Sequence, residues 1–167
     1  LIEYTQVIIG ESDRLQSLVN RLLTPHRLPQ YRLLNVHEVL VRVKGVVQAE
    51  FPQIPIACDF DISLPEIDAD PEQLTQATLN VVRNAAQAMN GKGTLTLRTR
   101  IESAYHLERV GPERARLVRI DVEDTGPGIP DEDLPLLFTP FFTRRSGGTG
   151  LGLAIAQHWT VKQGGRI

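Results

Sequence analysis

The chain opens with apolar residues at helical spacing. One apolar stripe repeats every seven residues and is formed by Leu1, Ile8, Leu15 and Leu22. A long helix with a single stripe needs a partner, so residues 1–24 predict either a helix packed on its own domain or part of a helical-bundle dimer. Pro25 and Pro29 then interrupt the helical pattern, and we interpret residues 25–35 as a linker.

From residue 36 onward, helical and strand-like patterns alternate. They predict helices over 36–49, 71–89 and 149–162, and strands over 54–60, 94–101 and 116–124. Asp70 and Pro71 form an N-cap signal for the second helix, which ends at Asn90-Gly91. Helices on one face of a mixed sheet predict a two-layer sandwich of the α/β (α+β) class. Residues 164–167 suggest the start of a further strand, so we expect residues 36–167 to be a C-terminally truncated domain.

Residues 125–150 form a long connection without periodicity, rich in Gly, Pro and Phe. Connections longer than about 15 residues are unusual in a compact domain unless they bind a ligand or cover a site. We therefore predict a lid or a binding loop. Because exposed phenylalanines would be costly, we expect it to be anchored by Phe138, Phe141 and Phe142.

Composition and charge argue against several classes of protein. The chain has 167 residues with 18 basic and 20 acidic side chains, so its net charge of −2 favours neither nucleic acid nor an anionic membrane. No apolar run approaches the roughly 18 residues that a membrane span needs. The single cysteine, Cys58, cannot form an internal disulfide, and we predict that it is a small buried residue in a reducing compartment.

Two asparagines mark the helix predicted over 71–89. Asn80 and Asn84 are four residues apart, so their amides leave the same face one turn from each other. Asparagine is a poor interior helix residue, and amide oxygens suit a hard cation such as Mg²⁺ that also binds phosphates. The pair is therefore either an ordinary polar surface or one side of a metal–phosphate site.

Two glycine-rich segments flank the phenylalanine cluster. Asp124 ends a strand and is followed by Gly126 and Gly128. These glycines either only turn the chain at the end of the strand, or they let the backbone approach a flat ring whose exocyclic amine donates a hydrogen bond to the Asp124 carboxylate. The second segment, residues 147–157, leads into a helix whose N-terminus can bind phosphate oxygens. Its spacing fits neither a dinucleotide-binding fingerprint nor a P-loop.

Arg144 and Arg145 lie between the phenylalanine cluster and the second glycine-rich segment. They are either solvated surface residues, or one of them reaches phosphates and stabilises charge in a transition state. We take Arg145 as the candidate.

Together these motifs resemble those of a known family. Asn80 with Asn84, then DTGPGI, FTPFF and GTGLGL, resemble in order and spacing the four signature boxes of the sensor histidine kinase catalytic domain, which is similar to other ATPases of the Bergerat fold. The resemblance covers residues 36–167, and residues 1–24 look like the second helix of the dimerisation and phosphoacceptor domain. Several stretches look most like a nitrogen-regulation sensor kinase.

The resemblance implies ATP and Mg²⁺ as cofactors and gives each motif residue a role. Asn84 would bind Mg²⁺, Asn80 would face the phosphates, and Arg145 would act in catalysis. Asp124 would bind the adenine amino group in a pocket shaped by Gly126, Gly128 and Ile129. The phosphate-side hinge of the lid would consist of Gly148, Thr149, Gly150, Leu151 and Gly152.

The resemblance also implies partners. The full-length protein would be a cytoplasmic homodimer through residues 1–24, would pass its phosphoryl group to an NtrC-like response regulator, and would respond to a PII-type signal protein. The family's acceptor histidine lies on a bundle helix upstream of Leu1. None of the four histidines of this chain has that sequence context: His26, His37, His106 and His158.

Two other functions stay open from the sequence. One is a different Bergerat ATPase, such as a chaperone, topoisomerase or mismatch-repair subunit. Those relatives carry a glutamate base where this chain has Asn80. The other is a catalytically inactive nucleotide-binding or dimerisation module. The rate of ATP hydrolysis distinguishes the first function, and ATP titration distinguishes the second.

Overall fold

A computed structural model of the chain describes residues 28–103 and 116–167. The helix predicted over residues 1–24 lies outside the described residues. In chain order the described elements are β1 (Arg32–Leu34), α1 (Val36–Glu50), β2 (Ile56–Asp59), β3 (Ile67–Ala69), α2 (Pro71–Ala88), β4 (Leu95–Ser103), β5 (Arg116–Asp124), a short 3₁₀ helix (Leu134–Leu136) and α3 (Gly152–Lys162).

A mixed three-stranded sheet in the order β2-β4-β5 forms one layer of the fold. β2 runs parallel to β4, with Ile56 opposite Leu95, and β4 runs antiparallel to β5, with Leu95 opposite Asp124. Leu95 and Leu97 are fully buried, whereas the residue between them is half-buried. The strands predicted over 94–101 and 116–124 are thus confirmed as β4 and β5, and their pairing places Asp124 beside the start of β4.

The helices form the second layer. α2 packs against both α1 and α3, and it also contacts β5. Apolar side chains from α1, α2, β2 and β4 share one core. The largest fully buried apolar residues are Leu40, Ile54, Leu95, Leu97, Val36, Val43, Val47 and Val82. This arrangement confirms the predicted two-layer α/β sandwich.

A second, two-stranded sheet joins β1 to β3, with Arg32 opposite Ala69. The sequence pattern predicted neither strand, because three residues show too little alternation to be detected. Their pairing brings the first described part of the chain against the residues that lead directly into α2.

Asp70 is buried where β3 ends and α2 begins. Its Oδ1 atom accepts hydrogen bonds from the backbone N–H groups of Glu72 and Gln73, at 2.9 and 3.0 Å, which confirms the predicted N-cap. Its Oδ2 atom accepts from the N–H of Gln30 at 2.7 Å. The N–H of Asp70 donates to Gln163 Oε1 at 3.1 Å. One residue thus joins α2 to the chain before β1 and to the residue that follows α3.

Two details differ from the sequence predictions. Cys58 is exposed rather than buried, because β2 is an edge strand from which Ile56 alone is buried. Residues 164–167 take part in no strand. No helix within 28–103 and 116–167 has the length and apolar character of a membrane span.

We expect Asp70→Ala to lower the free energy of unfolding by roughly 1–2 kcal/mol, because the capped N–H groups of α2 lose their acceptor. Urea unfolding followed by circular dichroism provides the measurement. Asp70→Ser keeps one cap acceptor and should lose less stability. An alanine variant as stable as the wild type would contradict the role given to Asp70.

Candidate functional site

Helix α2 carries amide side chains on one face. Asn80, Asn84 and Gln87 follow one another at spacings of four and three residues, and all three are half-buried. The Nδ2 group of Asn80 is buried and has no hydrogen-bond partner in the described part of the chain. Because a buried polar group without a partner costs free energy, this side of α2 is suited to receive a polar ligand.

The end of β5 presents an exposed carboxylate, that of Asp124. Its Oδ1 atom accepts a hydrogen bond from the N–H of Gly126 at 2.8 Å. A Cβ atom on Gly126 would lie 2.7 Å from that oxygen, so a larger residue does not fit without movement. Gly128 has φ of +78° with open space around it, and Ile129 beside it is 47% exposed. The strand end thus offers a carboxylate, accessible backbone and an apolar side chain.

The end of α2 is held against the residue that follows β5. Thr125 Oγ1 accepts a hydrogen bond from Thr94 N–H at 3.0 Å and donates weakly to Met89 Sδ at 3.9 Å. Gly93 lies against both side chains, since its Cβ atom would be 2.5 Å from Thr125 Oγ1 and 2.8 Å from Met89 Sδ. The start of the long connection is therefore fixed to the helix that carries the amides.

A backbone contact closes the far end of the long connection. The N–H of Phe141 donates to the carbonyl of Gly150 at 2.9 Å. Gly150 has φ of +64°, and a Cβ atom there would lie 2.4 Å from the carbonyl carbon of Phe141. Phe141 has φ of 68° and is 67% exposed. The prediction that Phe141 packs inward is therefore wrong: its backbone is left-handed where it contacts Gly150, and its side chain is exposed. Phe138 and Phe142 are half-buried.

Helix α3 begins directly after the second glycine-rich segment. Leu151 occupies its N-cap position, and within residues 28–103 and 116–167 no side-chain hydrogen bond caps this end. A Cβ atom on Gly152 would meet nothing within 4 Å, whereas one on Gly148 would lie 2.6 Å from Thr143 Oγ1. N–H groups at a helix start are a suitable binding place for an anion. Thr149, just before this end, is half-buried.

The two arginines of the long connection have different partners. Arg144 Nη2 forms an ion pair with Asp133 Oδ1 at 2.7 Å and also reaches Glu132 at 3.3 Å. The hydrogen bond to Asp133 raises the pKa of the Arg144 guanidinium. Arg145 instead contacts α2, where its Nη1 group donates to Gln87 Oε1. No local sequence pattern reports the pairings with Asp133 and Gln87, because the partners are 11 and 58 residues apart in the chain.

A cavity of about 480 Å³ lies at the end of α2 beside Arg145. Its walls are Phe51, Gln53, Ala86, Gln87, Asn90, Gly91 and Arg145. Among the site residues predicted from the sequence, only Arg145 borders this cavity. Asn80 and Asn84 precede Gln87 on the same helix face, and Asp124 is joined to α2 through the contact between Met89 and Thr125.

A protein-family model described as histidine kinase-, DNA gyrase B-, and HSP90-like ATPase matches residues 69–167. The matched range is more than half of the chain and contains α2, β5, the long connection and α3. The chain therefore belongs to this family, whose shared property is ATP binding.

Individual relatives are sensor kinases. The chain is similar to the sensory histidine kinase/phosphatase NtrB of Salmonella typhimurium, with 48% identity over 170 residues that cover all of this chain and 48% of that protein. It thus spans about half the length of that relative. Full-length ShkA in complex with AMPPNP shows a TM-score of 0.71 at 28% identity, covering 97% of this chain and 34% of that one. The kinase ThkA in complex with the response regulator TrrA gives 0.70 at 25% identity, covering 98% and 45%.

We expect Gly150→Ala to lower the free energy of unfolding by roughly 1–3 kcal/mol, because the left-handed backbone and the nearby Phe141 carbonyl leave no room for a methyl group. Protease cleavage between residues 125 and 150 should also be faster in the nucleotide-free protein. Gly152→Ala is the matched control, since its methyl group meets no atom and alanine favours a helix. Equal loss of stability in both variants would refute the role given to Gly150.

Proposed function

We propose that this chain is the ATP-binding catalytic part of a two-component sensor histidine kinase, which transfers the γ-phosphoryl group of ATP to a histidine of the full-length protein. The observation that carries the proposal is the half-buried amide face of α2. There the Nδ2 group of Asn80 has no partner among the described residues, and Arg145 of the long connection contacts Gln87. Membership of the ATPase family and 48% identity to NtrB along the whole chain support it.

The amide face of α2 suits a magnesium–phosphate site. Asn84 lies one helical turn beyond Asn80, and its amide oxygen is the kind of hard ligand that Mg²⁺ accepts. The Nδ2 group of Asn80 is a donor, so a phosphate oxygen would give it the partner that it lacks among the described residues. Bound Mg²⁺ would neutralise charge on the phosphates, and we propose that Asn84 holds it.

The end of β5 suits the base of the nucleotide. Asp124 presents an exposed carboxylate that accepts hydrogen bonds, as the exocyclic amine of adenine requires. Gly126 orients this carboxylate through its N–H, and the open backbone at Gly128 permits close approach of a flat ring. Ile129 supplies an exposed apolar side chain for the face of the ring.

We propose that the glycine-rich hinge and Arg145 bind the phosphates of ATP. The start of α3, formed by Leu151 and Gly152, offers N–H groups without a side-chain cap. Gly148, Thr149 and Gly150 connect it to the lid, which we propose folds over the triphosphate and excludes water. Arg145 contacts the amide face of α2 from the lid, and we propose that it stabilises charge that develops on the transferred group.

The side chain of Asn80 favours transfer to histidine over hydrolysis. A neutral amide cannot take a proton from water, whereas a glutamate at this position would be a general base. The incoming imidazole nitrogen is itself nucleophilic, so transfer needs chiefly alignment and charge stabilisation. The half-buried setting of Asn80 on α2 is compatible with both.

The wider assignments rest on similarity to the longer relatives. We propose a role in nitrogen regulation because the relative is NtrB, and phosphatase activity because its name includes that function. The response regulator bound to ThkA supports a response regulator as the phosphoryl recipient. A homodimer through residues 1–24, a PII-type modulator and a cytoplasmic location complete the proposal.

Titration of the chain with Mg²⁺-ATP by calorimetry tests nucleotide binding. Asp124→Ala should weaken ATP binding by about tenfold to a hundredfold, the loss expected for a hydrogen bond to a charged group. Glu123→Ala is the control, since this neighbouring carboxylate is exposed and pairs with Arg98 on the sheet. Absence of binding at millimolar ATP would favour an inactive module and defeat the proposal.

We expect Asn80→Glu not to increase the rate of histidine phosphorylation, because the new carboxylate would take a proton from water and would not activate the imidazole. Phosphoryl transfer to the full-length dimer and steady-state ATP hydrolysis should be measured together, with Asn80→Gln as the neutral control. A large gain in histidine phosphorylation in the glutamate variant would contradict the role proposed for Asn80. Fast ATP hydrolysis by the wild type would favour another class of Bergerat ATPase.

A further inference from the structure

We propose that Gln87 is a positioning residue that holds the Arg145 guanidinium beside the phosphate site before the nucleotide arrives. This inference rests on the proposed function, because it gives Arg145 a task in phosphoryl transfer. It adds a residue that no motif in the sequence singled out, and it explains how a cation on a long connection is directed to one helix.

The location of Gln87 on α2 is the first support. It lies three residues after Asn84 and seven after Asn80, on the same face of the helix. Its Oε1 atom accepts a hydrogen bond from Arg145 Nη1. Both side chains also border the cavity of about 480 Å³ at the end of α2. The guanidinium therefore contacts a side chain that lies about one helical turn beyond the proposed Mg²⁺ ligand.

The backbone around Arg145 is fixed independently of Gln87. The N–H of Arg145 donates to Thr143 Oγ1 at 3.1 Å, and its carbonyl accepts from the N–H of Gly148 at 3.1 Å. Arg144, the other cation, is held by Asp133 within the long connection. Because these hydrogen bonds hold the backbone of Arg145, Gln87 determines only the direction of the long Arg145 side chain.

The chemistry of an amide fits a holder that must later release its partner. Glutamine accepts a hydrogen bond without neutralising the guanidinium, so the positive charge stays available to an anion. The guanidinium has five N–H donors, and Gln87 engages Nη1 alone. A hydrogen bond to a neutral acceptor is also weaker than one to an anion. Phosphate oxygens can therefore draw Arg145 away from Gln87, whereas a glutamate at this position would retain it.

Trypsin cleavage after Arg145 in the nucleotide-free chain tests the positioning directly. Gln87→Ala should increase the cleavage rate after Arg145 by about threefold or more, because the free energy of one hydrogen bond is lost. Gln76→Ala on the same helix is the control, since Gln76 is exposed, and it should leave the rate unchanged. An unchanged rate in Gln87→Ala would overturn the inference, whether or not the chain binds ATP.

A double-mutant cycle then connects the contact to phosphoryl transfer in the full-length protein. Gln87→Ala and Arg145→Ala should each lower kcat, the first by about threefold to tenfold, with little change in KM for ATP. In the Arg145→Ala background, Gln87→Ala should have almost no further effect. Gln87→Glu should also lower kcat, while protecting Arg145 from trypsin.

The double-mutant cycle distinguishes positioning of Arg145 by Gln87 from direct contact between Gln87 and the nucleotide. If Gln87→Ala lowers kcat equally in both backgrounds, Gln87 acts directly on the nucleotide and not through Arg145, which overturns the inference. If the wild type neither binds ATP nor phosphorylates histidine, the proposed function fails, and with it the task given to Arg145. An effect of Gln87→Ala on trypsin cleavage would then show only that Gln87 contacts Arg145, with no role in phosphoryl transfer.

Discussion

The position of helix α2 is the constraint on which the rest of the structure depends. Its first turn is capped by Asp70, whose carboxylate also holds Gln30 and whose N–H contacts Gln163. Its last turn is held through Met89 to Thr125. Between these two ends lie the amides of the candidate site. The residue that follows β5 contacts this helix through Thr125 and Met89, and the long connection contacts it through Arg145 and Gln87.

The sequence predicted the elements whose signals are local. The Asp70-Pro71 cap and the strand patterns of β4 and β5 each depend on a few neighbouring residues, and the structure confirms the cap and both strands. The short strands β1 and β3 form only because they pair across the chain, and the paired residues Arg32 and Ala69 are 37 positions apart. The exposure of Cys58 likewise follows from the edge position of β2, which is a property of the whole sheet.

In the candidate site, too, features with a local signal could be predicted and contacts between distant residues could not. The motif residues could be picked out one segment at a time, since asparagines one turn apart and glycines before a helix carry local signals. The side chains that contact and orient these motif residues could not be predicted from the sequence. Gln87 is 58 residues from Arg145, and Asp133 is buried under Arg144 although its neighbours are exposed. The prediction for Phe141 was wrong for a related reason, because no local pattern reports its left-handed backbone or its contact with Gly150.

We propose that an amide of α2 binds the metal that accompanies ATP, and the dependence of ATP affinity on Mg²⁺ shows whether Asn84 is that ligand. Calorimetric titrations of the wild type and of Asn84→Ala, each with Mg²⁺ and with EDTA, give four affinities. We expect Mg²⁺ to tighten ATP binding to the wild type and this gain to disappear in Asn84→Ala, while the affinities in EDTA stay similar. A variant that keeps the full gain from Mg²⁺ would contradict the account.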